Sequence, residues 1–289
     1  FLEELLSVLD NSPGYTYAVE QASHYRRLNQ TRPDLIDRLK THIQNGAVEF
    51  AGGMASTADT NGPDGECLVR NLLLGRRWVD SHLGAEVRTG WLIDTFGMSA
   101  QMPQVFRQLG VRHVMANRLG GGQQHDAFLA EGLDGSRVLV LGRDAAAPDV
   151  KRKHIFFQFI QEESDIDELF RTAGESAEAD DPLIVMPYTE YESLPSLRVP
   201  QLMNAVGAEG VDWHPVLPAD FFETLDATAN EWPIVPADLN PEFTGTYSSR
   251  VGIRYASRRA EVSLLEAEKW AALSGANIDL TESWWKLFF

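Results

Sequence analysis

Cysteine is all but missing: Cys67 stands alone among 289 residues. This excludes a disulfide framework within the chain and any metal site built from several cysteines. On an amphipathic stretch, Cys67 reads as a small buried apolar residue of a helix face. Lysine is scarce too, with five among 25 basic residues. Together with abundant Asp and Ala, the arginine bias points to a salt-adapted or high-GC bacterial or archaeal source. Positive charge of either kind is short, since 42 acidic residues leave a net charge of -17. That balance argues against nucleic acid and anionic membrane surfaces as partners and fits a neutral substrate. No apolar run approaches the roughly 20 residues of a membrane span. The opening Phe1-Leu-Glu-Glu-Leu-Leu has no initiating Met and no basic n-region. It reads as the interior of a longer chain rather than a signal peptide, with a cytoplasmic, prokaryotic location as the expectation.

Several catalytic signatures are also absent. None of the seven histidines lies in a His-x-Asp or His-x-x-x-His spacing. His125-Asp126 is the one His-Asp pair, and with no strand leading into it a surface role is expected. Gly120-Gly-Gly lacks the Gly-Lys-Ser/Thr of a phosphate loop. No Gly-x-Ser-x-Gly elbow occurs either.

What remains is an alternation of short apolar runs and amphipathic stretches. Strands are expected at 15–19, 47–51, 88–93, 113–116, 138–141 and 183–187. Helices are expected at 1–9, around Leu35, Leu39 and Ile43 up to Asn45-Gly46, at 66–83 ending on Gly84, at 102–109 and at 197–206. In the 66–83 helix, Leu68, Leu72, Gly75 and Val79 share one face. The acidic region 143–180 reads as an exposed loop with a surface helix near 165–171. Such an alternation implies parallel strands with right-handed crossovers. From Pro233 the pattern changes: Pro233 and Pro236 read as a linker, followed by a long helix at 250–274 and another from Thr281.

Three strand ends carry acids. Asp59 follows the Gly52-Gly53 loop, an environment where most aspartates are turn or cap residues. Asp94 follows the apolar Trp91-Leu-Ile run and needs partners if buried, as a structural acid or as part of a site. The 183–187 strand leads into Tyr188-Thr-Glu190-Tyr-Glu192, where either glutamate could serve as a general acid or simply be solvated. Carboxylates at strand ends beside Trp91, Phe96, Tyr188 and Tyr191 suit a sugar site, because cleaving a glycosidic bond takes two carboxyl groups.

Read in order, these segments resemble the glycoside hydrolase family 38 α-mannosidases. The likeness rests on Gly52-Gly-Met-Ala-Ser-Thr-Ala-Asp59-Thr-Asn-Gly-Pro-Asp-Gly-Glu-Cys-Leu-Val-Arg70, on Leu73-Leu-Gly-Arg-Arg-Trp and on Trp91-Leu-Ile-Asp94-Thr-Phe-Gly-Met-Ser-Ala-Gln-Met-Pro103. Asn117-Arg118, Glu131-Gly-Leu-Asp-Gly-Ser136 and Gly245-Thr-Tyr-Ser-Ser-Arg250 extend it over nearly the whole chain. Each motif is weak, whereas their order and spacing together are specific.

The resemblance implies an α/β fold: a barrel-like (β/α) catalytic domain with mainly parallel strands over 1–235, then the start of an α-helical bundle over 236–289. It implies a retaining α-mannosidase with Zn2+ as cofactor, an α-mannoside oligosaccharide as partner, and homo-oligomer formation as a family tendency. Asp59 falls at the nucleophile, which is also a metal ligand. Asp94 and Arg118 fall among residues lining the sugar site, with Trp91, Phe96 and Tyr188 as further substrate contacts. The acid/base falls on Glu192 or, with a two-residue slide, on Glu190, where relatives mostly carry Asp. The family's other metal ligands, a His-x-Asp pair and a later His, have no counterpart here. The chain is therefore expected to be an internal fragment with little activity of its own. A non-catalytic carbohydrate-binding or scaffold relative is the alternative, supported by Glu at the acid position and by the small Ala55 and Ala58. A deacetylase-type barrel fits less well, because it also needs histidine ligands.

Overall fold

A computed structural model describes residues 1–119, 126–143, 155–159, 163–176, 184–188, 195, 197–206, 213–228, 232–239, 243, 245–246 and 249–288. Helix α1 (Leu2–Asn11) leads into strand β1 (Tyr17–Val19), which is followed by α2 (Ala22–Thr31) and α3 (Pro33–Gln44). Strand β2 (Val48–Phe50) runs parallel to β1, pairing Tyr17 with Val48 and Val19 with Phe50. Pro33 opens α3, where its missing N–H is no loss, and Gly46 at φ +74° turns the chain out of it. Helix α4 (Gly65–Leu83) ends on Gly84, whose left-handed φ of 64° lets its N–H reach the Asp80 carbonyl.

Strands β3 (Thr89–Leu92), β4 (His113–Asn117), β5 (Ala127–Glu131), β6 (Arg137–Arg143) and β9 (Ile234–Pro236) form a five-stranded sheet in the order β3-β4-β6-β5-β9. Helix α5 (Met102–Gln108) crosses from β3 to its parallel neighbour β4. The two sheets are linked where the Gly52 N–H donates to the Thr89 carbonyl at 2.8 Å. Strands β7 (Ile155–Phe159) and β8 (Ile184–Tyr188) make a further parallel pair, with α6 (Glu163–Ser176) between them. Helices α7 (Arg198–Val206) and α8 (Pro218–Thr228) follow β8. The chain ends in α9 (Val251–Ser274) and α10 (Thr281–Leu287).

The core lies in layers on both faces of the strands. Leu68 and Leu72 of α4 and Phe106 of α5 pack with Leu92, Val114 and Val140 on one face of the five-stranded sheet. Met115, Leu139 and Leu141 point the other way, into a cluster with Phe221 and Phe222 of α8 and Ile184 of β8. Alternate residues of one strand thus feed opposite layers, as the period of two requires. Helix α9 is largely exposed, and Arg70 of α4 ties it down. The Arg70 guanidinium bonds both oxygens of Glu268 at 2.7 and 2.8 Å and lies 4.4 Å from the centre of the Trp284 ring.

The fold differs from the sequence expectations in four places. Ala127–Glu131 is a strand and pairs antiparallel with β6, because the short turn at Leu133-Asp134-Gly135 closes a hairpin. Pro233 and Pro236 do not form a linker. They border an edge strand parallel to β5, where a residue without an N–H is tolerated, and Leu239 still bridges to Met98. In the acidic 143–180 region, Ile155–Phe159 is a strand, and α6 buries Ile166, Leu169, Phe170 and Ala173. Asp126, expected on the surface, is 7% exposed at the start of β5; its partner His125 lies outside the described residues, as do Gly120-Gly-Gly.

Candidate functional site

Four successive strands end in left-handed backbone. β2 runs into Gly52 and Gly53 at φ 73° and 72°. A β-carbon on Gly53 would meet Arg76 Cγ at 2.8 Å and Val87 at 3.0 Å, so both the conformation and the space require glycine. After β1, β3 and β4 the left-handed residues are not glycine: Gln21 at 62°, Asp94 at 62° and Arg118 at 51°. Only Phe243, at 59°, joins them among the described non-glycine residues. Side chains held in this region store strain of about 1–3 kcal/mol each and gather where function over-determines the backbone.

These turns bring the acids together. Asp59 is half-buried, and its Oδ1 accepts the Phe96 N–H at 3.3 Å, so the loop after β2 is joined to the one after β3. Next to it, the buried Thr60 hydroxyl accepts the Ser99 N–H at 2.9 Å. Asp94 is an exposed carboxylate, and the Arg118 Nε donates to its Oδ1. The Arg118 guanidinium carbon lies 5.7 Å from the Phe96 ring centre and 5.8 Å from that of Phe243, and the two rings meet at 5.4 Å. A cation beside aromatic faces and an exposed acid make a surface suited to a polyhydroxylated ring.

On its inner side the Asp59 loop is anchored to α4. The buried Asn71 accepts the Ser56 N–H through Oδ1 at 3.1 Å, donates Nδ2 to the Ser56 carbonyl at 2.7 Å, and takes the Ala55 N–H on its own carbonyl at 3.1 Å. Gly75, one turn further along α4, lets the loop come this close.

The structure therefore gathers Asp59, Asp94, Phe96 and Arg118. Trp91 is half-buried in the apolar layer that contains Met115 and Phe221, with its β-carbon under Gly52. Tyr188 closes β8, paired with Phe159. Glu190 and Glu192 lie outside the described residues. One participant escaped the sequence reading: Phe243 sits in a stretch with no periodic signal. Among the described residues no group of three or more His, Cys, Asp and Glu could hold a metal ion. These residues alone do not fit a zinc site, and Asp59 would be a single ligand in one. No described helix is long and apolar enough to cross a membrane.

A mainly parallel α/β sheet with acids, an arginine and aromatic rings at its strand ends defines the general class, an α/β fold with its candidate site at the strand ends. The comparisons specify it. The model described as "Glycosyl hydrolases family 38 N-terminal domain" matches residues 1–234, and the chain belongs to that family. It is 26% identical to alpha-mannosidase G of Dictyostelium discoideum over 275 residues, covering 90% of this chain and 24% of the relative. Human alpha-mannosidase 2C1 is 34% identical over 139 residues, 47% of this chain and 13% of its own length. The chain thus spans a quarter or less of these relatives. Among solved structures, an alpha-mannosidase from Enterococcus faecalis V583 shares the fold at a TM-score of 0.66 and 16% identity, over 82% of this chain and 27% of that one. A 4-alpha-glucanotransferase from Thermococcus litoralis superimposes at 0.55 and 12% identity, over 83% of this chain and 36% of its own.

Proposed function

We propose that this chain is part of the catalytic region of a retaining α-mannosidase that hydrolyses terminal α-mannosidic bonds of oligosaccharides or glycoconjugates. The carrying observation is the placement of Asp59, a carboxylate in the loop after β2 held by the Phe96 N–H, with the Asp94–Arg118 pair on the adjoining turns. In this reading Asp59 attacks the anomeric carbon and forms the glycosyl-enzyme, while the acid/base, Glu192 or Glu190, protonates the leaving oxygen and then activates water. The Phe96 N–H holds one Asp59 oxygen and so fixes the plane of the carboxylate for attack. Asp94 and Arg118 bind hydroxyls, Phe96 packs on a ring face, and Trp91 and Tyr188 complete the wall.

The test is Asp59→Asn in the full-length protein, assayed on an aryl α-mannoside. Turnover should fall by about a thousandfold or more with the fold unchanged. Wild-type turnover would refute the assignment, and an unmutated protein that binds mannosides without cleaving them would be the carbohydrate-binding relative instead.

The strands of the three sheets are, in this proposal, segments of one barrel wall, and the helical part beginning with α9 starts a bundle. The division drawn at residue 235 is proposed with its seam just beyond Leu239, which is still bonded to Met98. Zn2+ is the implied cofactor of the longer protein, with Asp59 as one ligand and the others outside the described residues. The 289-residue chain alone should then bind Zn2+ weakly and turn over slowly, and tight stoichiometric binding in a calorimetric titration would overturn this. A cytoplasmic setting, supported by the single cysteine, and homo-oligomer formation belong to the same proposal.

A further inference from the structure

The turn after β1 contains a closed ring of hydrogen bonds. The Thr57 hydroxyl donates to Glu20 Oε2 at 2.6 Å, Gln21 Nε2 donates to Glu20 Oε1 at 2.7 Å, and the Thr57 N–H donates to Gln21 Oε1 at 3.3 Å. Both carboxylate oxygens and both ends of the amide are used. Thr57 lies two residues before Asp59, between Ser56, which Asn71 holds, and Thr60, which Ser99 holds. From the β1 side the Ala22 and Ser23 N–H groups hold the Met54 and Ala55 carbonyls at 3.0 and 2.9 Å, and the ring carries this hold forward to Thr57.

We propose that Glu20 and Gln21 are positioning residues: through Thr57 they fix the loop that presents Asp59 to the sugar. This rests on the reading of Asp59 as nucleophile. Two further observations support it. Gln21 is one of four described non-glycine residues with positive φ, and the other three, Asp94, Arg118 and Phe243, form the ion-pair and aromatic cluster of the site. A glutamine kept in left-handed backbone, where glycine would be at ease, fits a side chain whose contacts are needed there. Burial also pushes the Glu20 carboxyl up from its ordinary value, with the Thr57 and Gln21 donors pulling it down. The carboxyl is half-buried, and each of its oxygens is taken up by this ring.

Glu20 bonds Thr57, two residues before Asp59, so its role can be separated from the chemistry. Glu20→Gln keeps the ring, since the amide oxygen can accept from Gln21 and the amide nitrogen can donate to the Thr57 hydroxyl. Glu20→Ala and Thr57→Val open it. Gln21→Gly opens it too, while suiting the backbone, so it separates loss of the ring from failure to fold.

The experiment measures kcat and KM on an aryl α-mannoside for these four variants and Asp59→Asn in the full-length protein, alongside thermal unfolding. The expected result is a kcat lowered about ten- to a hundredfold in Glu20→Ala, Thr57→Val and Gln21→Gly, with KM moved less than about threefold. Glu20→Gln should stay within about threefold of wild type in both constants. If the three ring-opening variants turn over like wild type while Asp59→Asn is inactive, the positioning role is wrong and the nucleophile reading survives. If Glu20→Gln falls as far as Glu20→Ala, the charge acts directly and the positioning role is again wrong. If Asp59→Asn keeps turnover, both readings fall.

Discussion

Replacing Gly75 by alanine sets two effects against each other. Alanine is the better helix former by about 1 kcal/mol, and Gly75 sits inside α4, so intrinsic propensity favours the variant. Against this, the new β-carbon would lie 2.5 Å from the Met54 carbonyl carbon and closer still to Ala55 N and the Gly53 carbonyl oxygen, all backbone. Ordinary contact needs about 3.5 Å, so helix and loop must separate by about 1 Å. Overpacking of this kind costs about 1–3 kcal/mol. The same movement stretches the three Asn71 bonds to Ala55 and Ser56, each contributing about 1 kcal/mol. The net expectation is a local destabilisation of about 2–4 kcal/mol, since the lost contacts outweigh the gain in propensity. Hydrogen exchange reads it directly, because the Ala55 and Ser56 amides are the groups released. Their exchange should quicken about thirtyfold to several hundredfold, and kcat should fall as Asp59 is displaced. Unchanged exchange in Gly75→Ala, or slower exchange as propensity alone would give, would refute the close-approach argument.

Glu49, 4% exposed on β2, accepts the Ala219 N–H at the start of α8 through Oε2, with the buried Thr89 hydroxyl as a second polar neighbour. Burial raises its carboxyl above the ordinary value near 4.5, against the pull of the Ala219 N–H. A raised folded pKa gives stability that is present below the unfolded value and lost as pH rises through the folded one. Glu49→Gln should therefore gain in unfolding midpoint relative to wild type between pH 4.5 and pH 7.5, and a difference that shrinks over this range would contradict the sign. Burial also pushes the Cys67 thiol up to about 12. At pH 8 only about one molecule in ten thousand carries the thiolate, so iodoacetamide should label Cys67 only after unfolding, and rapid native labelling would show an open site.

Much of the frame around the site could be read from sequence because its punctuation is local. Gly52-Gly53 marks the turn after β2, Gly84 ends α4, and Asn45-Gly46 ends α3, each chosen by its own backbone. The approach of α4 to the Asp59 loop could not be read, because Gly75 appears merely as part of an apolar face until the loop is seen against it. β7 was masked by acidic surroundings, although Ile155-Phe-Phe-Gln-Phe is a β-type run. β9 was masked by its prolines, which an edge strand accepts. Asp59 and Asp94 stood out because each follows an apolar run. Glu20 did not, because β1 is three residues long and passes at once into α2. The contact of Arg118 with Phe243 joins residues distant in sequence, so only the folded chain reveals it.

The proposed mechanism requires Asp59 to be the nucleophile of a retaining mannosidase. Its most direct test is to trap the full-length protein with a fluorinated mannosyl fluoride, which slows breakdown of the glycosyl-enzyme, and to map the adduct by mass spectrometry. The account predicts one mannosyl adduct, on the peptide containing Asp59 and on that residue. An adduct on a different carboxylate, or inactivation without any adduct, would contradict it.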